Sequence, residues 1–298
     1  MKGPFSLFLR TAAFCLLALC VFSCATKAAE AEEYYALGMA YFDLEKYAEA
    51  EKWFARARNA NRTRTASEYN LGRIAFETGR YGEAAAHFEK VLKKDPDNVT
   101  ALKAAAYTCI KLDRKEDAGE YYEKLLSLVP ESADDGYNYA LVLLALEKAE
   151  EAEAVLLKYN SESAGSLLLL ARARKAQGRV EAVDDYRASL EKADDPAVRF
   201  EYAEVLEQQE LFARALEEYR AVSASSAANK PDAKLVAFSI GRVLLKADPS
   251  EAAAMTSISE AVNAGFADRE ALEDLLTLNI SEAQKEEIRR LINLAADD

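Results

Sequence analysis

One histidine and one tryptophan occur in 298 residues, and proline and glycine number only 6 and 11. With His87 alone, no imidazole pair exists for a metal site or a proton relay, and no nucleophile, base and orienting group can be assembled around it. An enzyme is therefore not expected, nor a cofactor. Four cysteines are present, but Cys15, Cys20 and Cys24 crowd into the segment 1–24 and only Cys109 lies in the body. Neither a disulfide framework nor a thiolate metal cluster can be built from that distribution. Positive charge is also short: 38 Lys and Arg stand against 51 Asp and Glu, a formal net charge of -13. The two cations before Cys24, Lys2 and Arg10, come with no acid, so the rest of the chain is more acidic still. That balance lacks the basic footprint of a nucleic-acid partner. Few helix breakers leave room for long periodic segments, and an all-helical chain is expected.

What is there is repetition. In the stretch 65–96, TASEYNLGRIAFETGRYGEAAAHFEKVLKKDP, apolar Leu71, Ile74 and Ala75 recur at helical spacing, and Gly79 interrupts them. Ala84, Phe88 and Val91 resume the pattern before Pro96 ends it. This predicts two antiparallel helices and a stop. A lone pair cannot bury its apolar stripes on both sides, so it needs neighbours, and the chain supplies near-copies. At one unbroken interval stand Gly38, Gly72, Ala106 and Ala140 in first helices, and Ala50, Ala84, Ala118 and Ala152 in second helices. One turn beyond each of those second-helix alanines stands a large residue: Phe54, Phe88, Tyr122 and Leu156. Small residues let two backbones cross closely, and the large ones fill the space beside the crossing.

Leu71, Gly72, Ala84, Phe88 and Pro96 match the small and large positions of the tetratricopeptide repeat, and the chain resembles a tetratricopeptide protein. The resemblance implies an all-α, right-handed superhelical solenoid of about seven helix pairs with a C-terminal helical cap. The array is expected over 31–264 and the cap over 265–298. Beyond unit four the register loosens. Unit five, on Ala171, Ala182 and Tyr186, has a turn at Gly178 one residue shorter than the one at Gly79. Unit six follows Pro196, and the polar linker 223–231 is the expected place for a bend. Unit seven keeps Gly241 and Ala253 but puts Ser257 where a large residue is expected. In the last segment, Ser281 and Gln284 form a reciprocal N-terminal capping pattern.

The segment 1–24, MKGPFSLFLRTAAFCLLALCVFSC, begins basic, runs apolar and ends on Ser23-Cys24, and it resembles a bacterial lipoprotein leader. That resemblance implies a signal peptide over 1–23, a lipid on Cys24 and a tether over 24–30. It places the protein on the periplasmic side of the cell envelope. Phe22 departs from the usual small residue of the cleavage box. An ordinary secretory peptide cut near Ala28, or a retained anchor, stays open as an alternative. Ala25 and Thr26, rather than Asp, follow Cys24, which leans toward the outer membrane.

In proteins of the resembling family, first helices line a concave groove. Carried over by register, the groove positions are Tyr35, Tyr69, Lys103, Tyr137 and Phe200, each three residues before a small crossing residue. One residue after the crossing come Arg73, Tyr107, Leu141 and Arg172. The stripe is aromatic and apolar with a few cations, suited to a protein or peptide partner, or to a hydrophobic small ligand handled for a transporter. The bland alternative is that these rings pack between helices. His87, Trp53, Cys109 and the pairs Asp134-Asp135, Asp184-Asp185 and Asp194-Asp195 are read as structural or solvated.

Overall fold

The computed structural model describes residues 29–59, 61–159 and 162–296, so the expected leader and Cys24 lie outside the described residues. Among the described residues sixteen α-helices follow one another, with no strand. The chain falls into two compact units divided between Leu146 and Glu147, where the repeat alone suggests one continuous array.

The first unit holds α1 (29–43), α2 (Tyr47–Ala57), α3 (Asn61–Glu77), α4 (Tyr81–Lys94), α5 (Val99–Lys111), α6 (Lys115–Leu128) and α7 (Ala133–Ala145). Its core runs along the stack. Ala50 and Phe54 of α2 pack with Leu71 and Ile74 of α3, and Ala84 and Phe88 of α4 with Ala75 and Ala105. Tyr122 and Leu125 of α6 continue it with Leu102, Ala106 and Val142. The crossings are as close as the small residues demand. A Cβ on Gly38 would stand 2.8 Å from the Phe54 ring, and one on Gly72 would stand 2.6 Å from Phe88.

In the first six hairpins the turn is set by one residue with positive φ. These are Glu45, Gly79 and Asp113, spaced like the crossing residues, followed by Glu147, Gly178 and Glu210. At Gly79 the backbone closes with Arg80 N donating to Ala75 O at 2.7 Å, the wrapped helix end that a left-handed residue permits. α3 begins at Asn61, ahead of the expected start at 65, because no proline separates it from α2.

The second unit holds α8 (Ala149–Tyr159), α9 (Ala164–Ala176), α10 (Ala182–Lys192), α11 (Pro196–Gln208), α12 (Phe212–Ala224), α13 (Ala233–Ala247) and α14 (Ala252–Asn263). After α14 come α15 (Arg269–Asp274), a 3-10 turn (Leu275–Thr277) and α16 (Glu282–Ala296). Two expectations change here. The turn at Gly178 closes just as that at Gly79 does, with Arg179 N donating to Arg174 O at 2.9 Å. The missing residue is absorbed afterwards, by tight bonds such as Ala182 N to Arg179 O that delay the start of α10. In α14 the register slips by one. Ala254, not Ala253, is the buried small residue, and Ile258, not Ser257, fills the crossing, with its Cγ1 2.6 Å from where a Cβ on Gly241 would stand. The Asp248–Glu251 connection carries no positive-φ residue, so the hairpin reverses over a different number of residues. The cap forms as read: Ser281 N donates to Gln284 Oε1 and Gln284 N to Ser281 Oγ, while Gln284 Nε2 reaches back to Pro249 O at 2.7 Å.

Candidate functional site: two first-helix faces

Three rows of side chains run along the first helices, and each has a different fate. The row three residues before the small crossing residue mostly packs inward. Tyr35 sits on Phe54 at 5.4 Å, Tyr69 on Phe88 at 5.6 Å and Phe200 on Tyr219 at 5.2 Å. All three pairs share the same spacing along the chain, so one geometric rule places them: the ring lies beside the large residue of its own hairpin. Tyr35 and Tyr69 keep one side accessible, and Tyr35 also accepts a hydrogen bond from Asn70 Nδ2 at 3.0 Å. Phe200 is only 7% exposed and is no groove residue, which corrects the assignment carried over by register. Lys103 of the same row is held by Asp135 at 2.8 Å, and Tyr137 is half-buried.

The row one residue after the crossing stays open in the first unit. Tyr107 is 44% and Leu141 39% exposed, and the Arg73 guanidinium lies over the Phe42 ring at 4.2 Å. A third row, four residues after the crossing, escapes the reading by register: Phe42, Phe76 and Ile110. Phe76 packs against Tyr107 at 5.4 Å, and Ile110 is 36% exposed. The signal is in the sequence, since these positions follow the second row by one further helical spacing. Together, Arg73, Phe76, Glu77, Phe88, Ala104 and Tyr107 line a cleft of about 130 Å³, and Lys111 caps the Tyr107 ring at 5.4 Å.

In the second unit the rows one and four residues after the crossing are mostly charged, and their side chains form ion pairs. Arg172 makes a two-pronged bond to Glu201 at 2.9 and 2.7 Å, so it is engaged within the fold, and Lys175 meets Glu204 at 2.7 Å. Both pairs join one first helix to the next. Glu207 is the centre of the last cluster: Arg242 donates to both its oxygens at 2.8 Å, Lys246 at 2.9 Å, and Tyr219 Oη at 3.2 Å. Burial pushes the Glu207 carboxyl up, but the bonds from Arg242 and Lys246 outweigh it and hold the group below the usual carboxylate range. Glu201 is lowered in the same way, its burial overcome by Arg172.

His87 is not without a partner, as its solitude in the sequence suggests. Its Nδ1 lies 2.9 Å from Glu68, a buried carboxylate that Lys90 and Arg58 also reach. For Glu68 burial raises the carboxyl, and the hydrogen bonds from Lys90 and His87 more than reverse that. Of the acidic pairs read as structural or solvated, Asp135 and Asp185 take the structural role: they are buried at helix starts and paired with Lys103 and Arg174. Two arginines of α2 and its end are also engaged within the fold: Arg58 pairs with Glu68, and Arg56 covers Trp53 at 4.8 Å. Cys109 is buried and its thiol is pushed up to about 11 by burial, so it is no nucleophile at neutral pH. Among the described residues no group of three or more His, Cys, Asp or Glu is placed to hold a metal ion. Nor is any described helix long and apolar enough to cross a membrane. Among the described residues neither face offers a catalytic constellation; both offer surfaces.

Comparison with known proteins agrees with this fold. Tetratricopeptide-repeat family profiles match residues 28–97 and 69–135, so this part of the chain carries tetratricopeptide repeats. No curated protein matches the sequence. Among solved structures, a tetratricopeptide repeat protein from Parabacteroides merdae is 22% identical, with TM-score 0.58 over 90% of this chain and 99% of its own. YrrB, a TPR protein described as having an unusual peptide-binding site, is 18% identical, with TM-score 0.51 over 68% of this chain and 96% of its own. MamA is 19% identical at TM-score 0.51 over 56% of this chain and 94% of its own.

Proposed function

We propose that the chain is a non-catalytic scaffold whose first unit holds an apolar segment of a protein partner along α3, α5 and α7. The observation that carries this reading is the run of exposed apolar side chains on successive first helices: Tyr107, Ile110 and Leu141. Arg73 and Lys111 stand beside them as donors for a carboxylate of the same segment, and α5 contains no acid of its own. Tetratricopeptide folds serve as interaction scaffolds, and the peptide-binding description of YrrB supports the same use here. A hydrophobic small ligand handled for a transporter is the weaker reading. The cleft between Arg73 and Tyr107 holds about 130 Å³, well short of the roughly 300 Å³ at which ligand pockets begin.

We further propose that a lipid on Cys24 fixes the scaffold to the bacterial envelope on its periplasmic side, with the outer membrane favoured. A basic start, a short apolar run and Ser23-Cys24 support it. Cys24→Ser should abolish palmitate labelling and release the chain from membranes; labelling that persists would remove the anchor from the proposal. For the groove, a photo-crosslinking residue at 107 or 141 should capture one defined envelope protein. The same probe at exposed Lys192 should not, and Ile110→Ser should remove the product. Equal capture from all three positions would refute the first-unit face as the docking site.

A further inference from the structure

The second unit contains a cavity of about 620 Å³ walled by α11 and α13 on one side and by α15 and its 3-10 turn on the other. That is within the range of small-molecule sites. It does not overlap the first-unit face and has different chemistry. On one wall, Arg242 and Lys246 share a single buried carboxylate, Glu207. Two cations one helical turn apart on α13 repel each other, and one glutamate answers only one of them. The neighbouring carboxylate, Glu204, is already taken by Lys175. Counting Lys175 behind Glu204, three cations stand here against the two carboxylates Glu204 and Glu207, in a protein that is strongly acidic overall. Arg242 has five N–H donors and Lys246 three, of which Glu207 engages two and one. The opposite wall carries the reverse sign, with exposed Asp274, and next to it the half-buried apolar side chain of Leu278, while Leu275 lies beneath in the core.

We infer that this cavity binds a zwitterion: a carboxylate toward Arg242 and Lys246, an ammonium toward Asp274 and an apolar side chain against Leu278. The ligand class is a free apolar amino acid or a short apolar peptide. Both carry that dipole, and they differ in the distance between its poles. A bound carboxylate relieves the repulsion between Arg242 and Lys246 without disturbing Glu207, which keeps its own bonds.

Titration calorimetry on the whole chain at neutral pH tests it, with leucyl-leucine, its C-terminal amide and its N-acetyl form as probes and free leucine as a fourth. Leucyl-leucine or leucine should bind, and each blocked dipeptide should be weaker by about tenfold or more. Tighter binding of leucine assigns a free amino acid, and tighter binding of the dipeptide assigns a peptide. Lys246→Gln should weaken the parent ligand and erase the penalty of the amide. Asp274→Asn should do the same for the N-acetyl form. Both side chains reach solvent and Glu207 keeps Arg242, so unchanged melting curves establish that the variants fold. No binding by the wild-type chain, equal binding of parent and blocked forms, or parent binding unchanged in both variants would each overturn the assignment.

Discussion

Two of the three rows of first-helix positions, those one and four residues after the crossing, do opposite work in the two units. In the first, they present Arg73, Phe76, Tyr107, Ile110 and Leu141, with apolar surface left in water. In the second, the two outer rows hold Arg172, Lys175, Glu204, Glu207 and Arg242, tied across neighbouring first helices by ion pairs, with Glu201 beside them as the partner of Arg172. One backbone period thus supports two uses of a surface. Where the side chains satisfy each other, the face is closed to an apolar partner; where they do not, it remains available.

The contrast can be tested by damage of decreasing size. The packing beneath both faces should be the most sensitive: Phe88→Ala should cost about 3 to 5 kcal/mol in urea unfolding followed by circular dichroism. Next comes Glu207→Ala, which leaves two cations on α13 unanswered. A fully buried pair broken this way costs about 3 to 5 kcal/mol. Here the loss should fall to about 2 to 3 kcal/mol, since Arg242 and Lys246 keep 25% and 34% of their side-chain surface in water. The same carboxyl gives the second unit an acid limit. Its folded pKa lies below its unfolded one, so its contribution is complete above about pH 4.3 and disappears as pH falls through the folded value. Urea midpoints measured from neutral to acidic pH should fall in that window, and Glu207→Gln should flatten that part of the curve.

Smaller changes distinguish the crossings. Gly241→Ala drives a Cβ to 2.9 Å from the Ala254 carbonyl oxygen, a backbone atom that cannot rotate away. It should cost more than Gly72→Ala, which meets only the Phe88 ring, with both inside the range of about 1 to 3 kcal/mol for overpacking. In the opposite direction, Glu210→Gly relieves a left-handed residue at φ 60°. It should add about 1 kcal/mol of stability and raise the melting temperature accordingly. Least of all, Tyr107→Ser and Leu141→Ser should leave stability within about 0.5 kcal/mol while removing the partner. A large stability loss at those two positions would mean that the open face is packing after all.

The repeat itself is legible because it rests on local rules. Gly72 with Phe88, the turn at Gly79 and the Ser281 cap are each specified within one hairpin or one helix start, and all three form as read. Features that depend on how two facing helices are rotated and offset, even inside one hairpin, are not. Nothing in the composition of α9 and α11 says that Arg172 and Lys175 will each find a carboxylate on the next first helix. Phe200 reads as a surface aromatic until the depth of its position beside Tyr219 is known. The slip from Ser257 to Ile258 likewise follows from a connection whose length alone does not reveal how it turns. His87 reads as isolated for the same reason: Glu68, its partner, lies on the preceding helix.

Packed partners such as Gly72 with Phe88, or Phe200 with Tyr219, belong to a single hairpin, and that closeness also governs how the chain acquires its structure. Contacts this near in sequence need little loop closure, so a hairpin such as α3 with α4 can form before distant parts of the chain have met. Folding should be fast and able to start at more than one hairpin, with order spreading from neighbour to neighbour. Hydrogen exchange would then record a gradient, with amides near a free end opening before those in the middle of a stack.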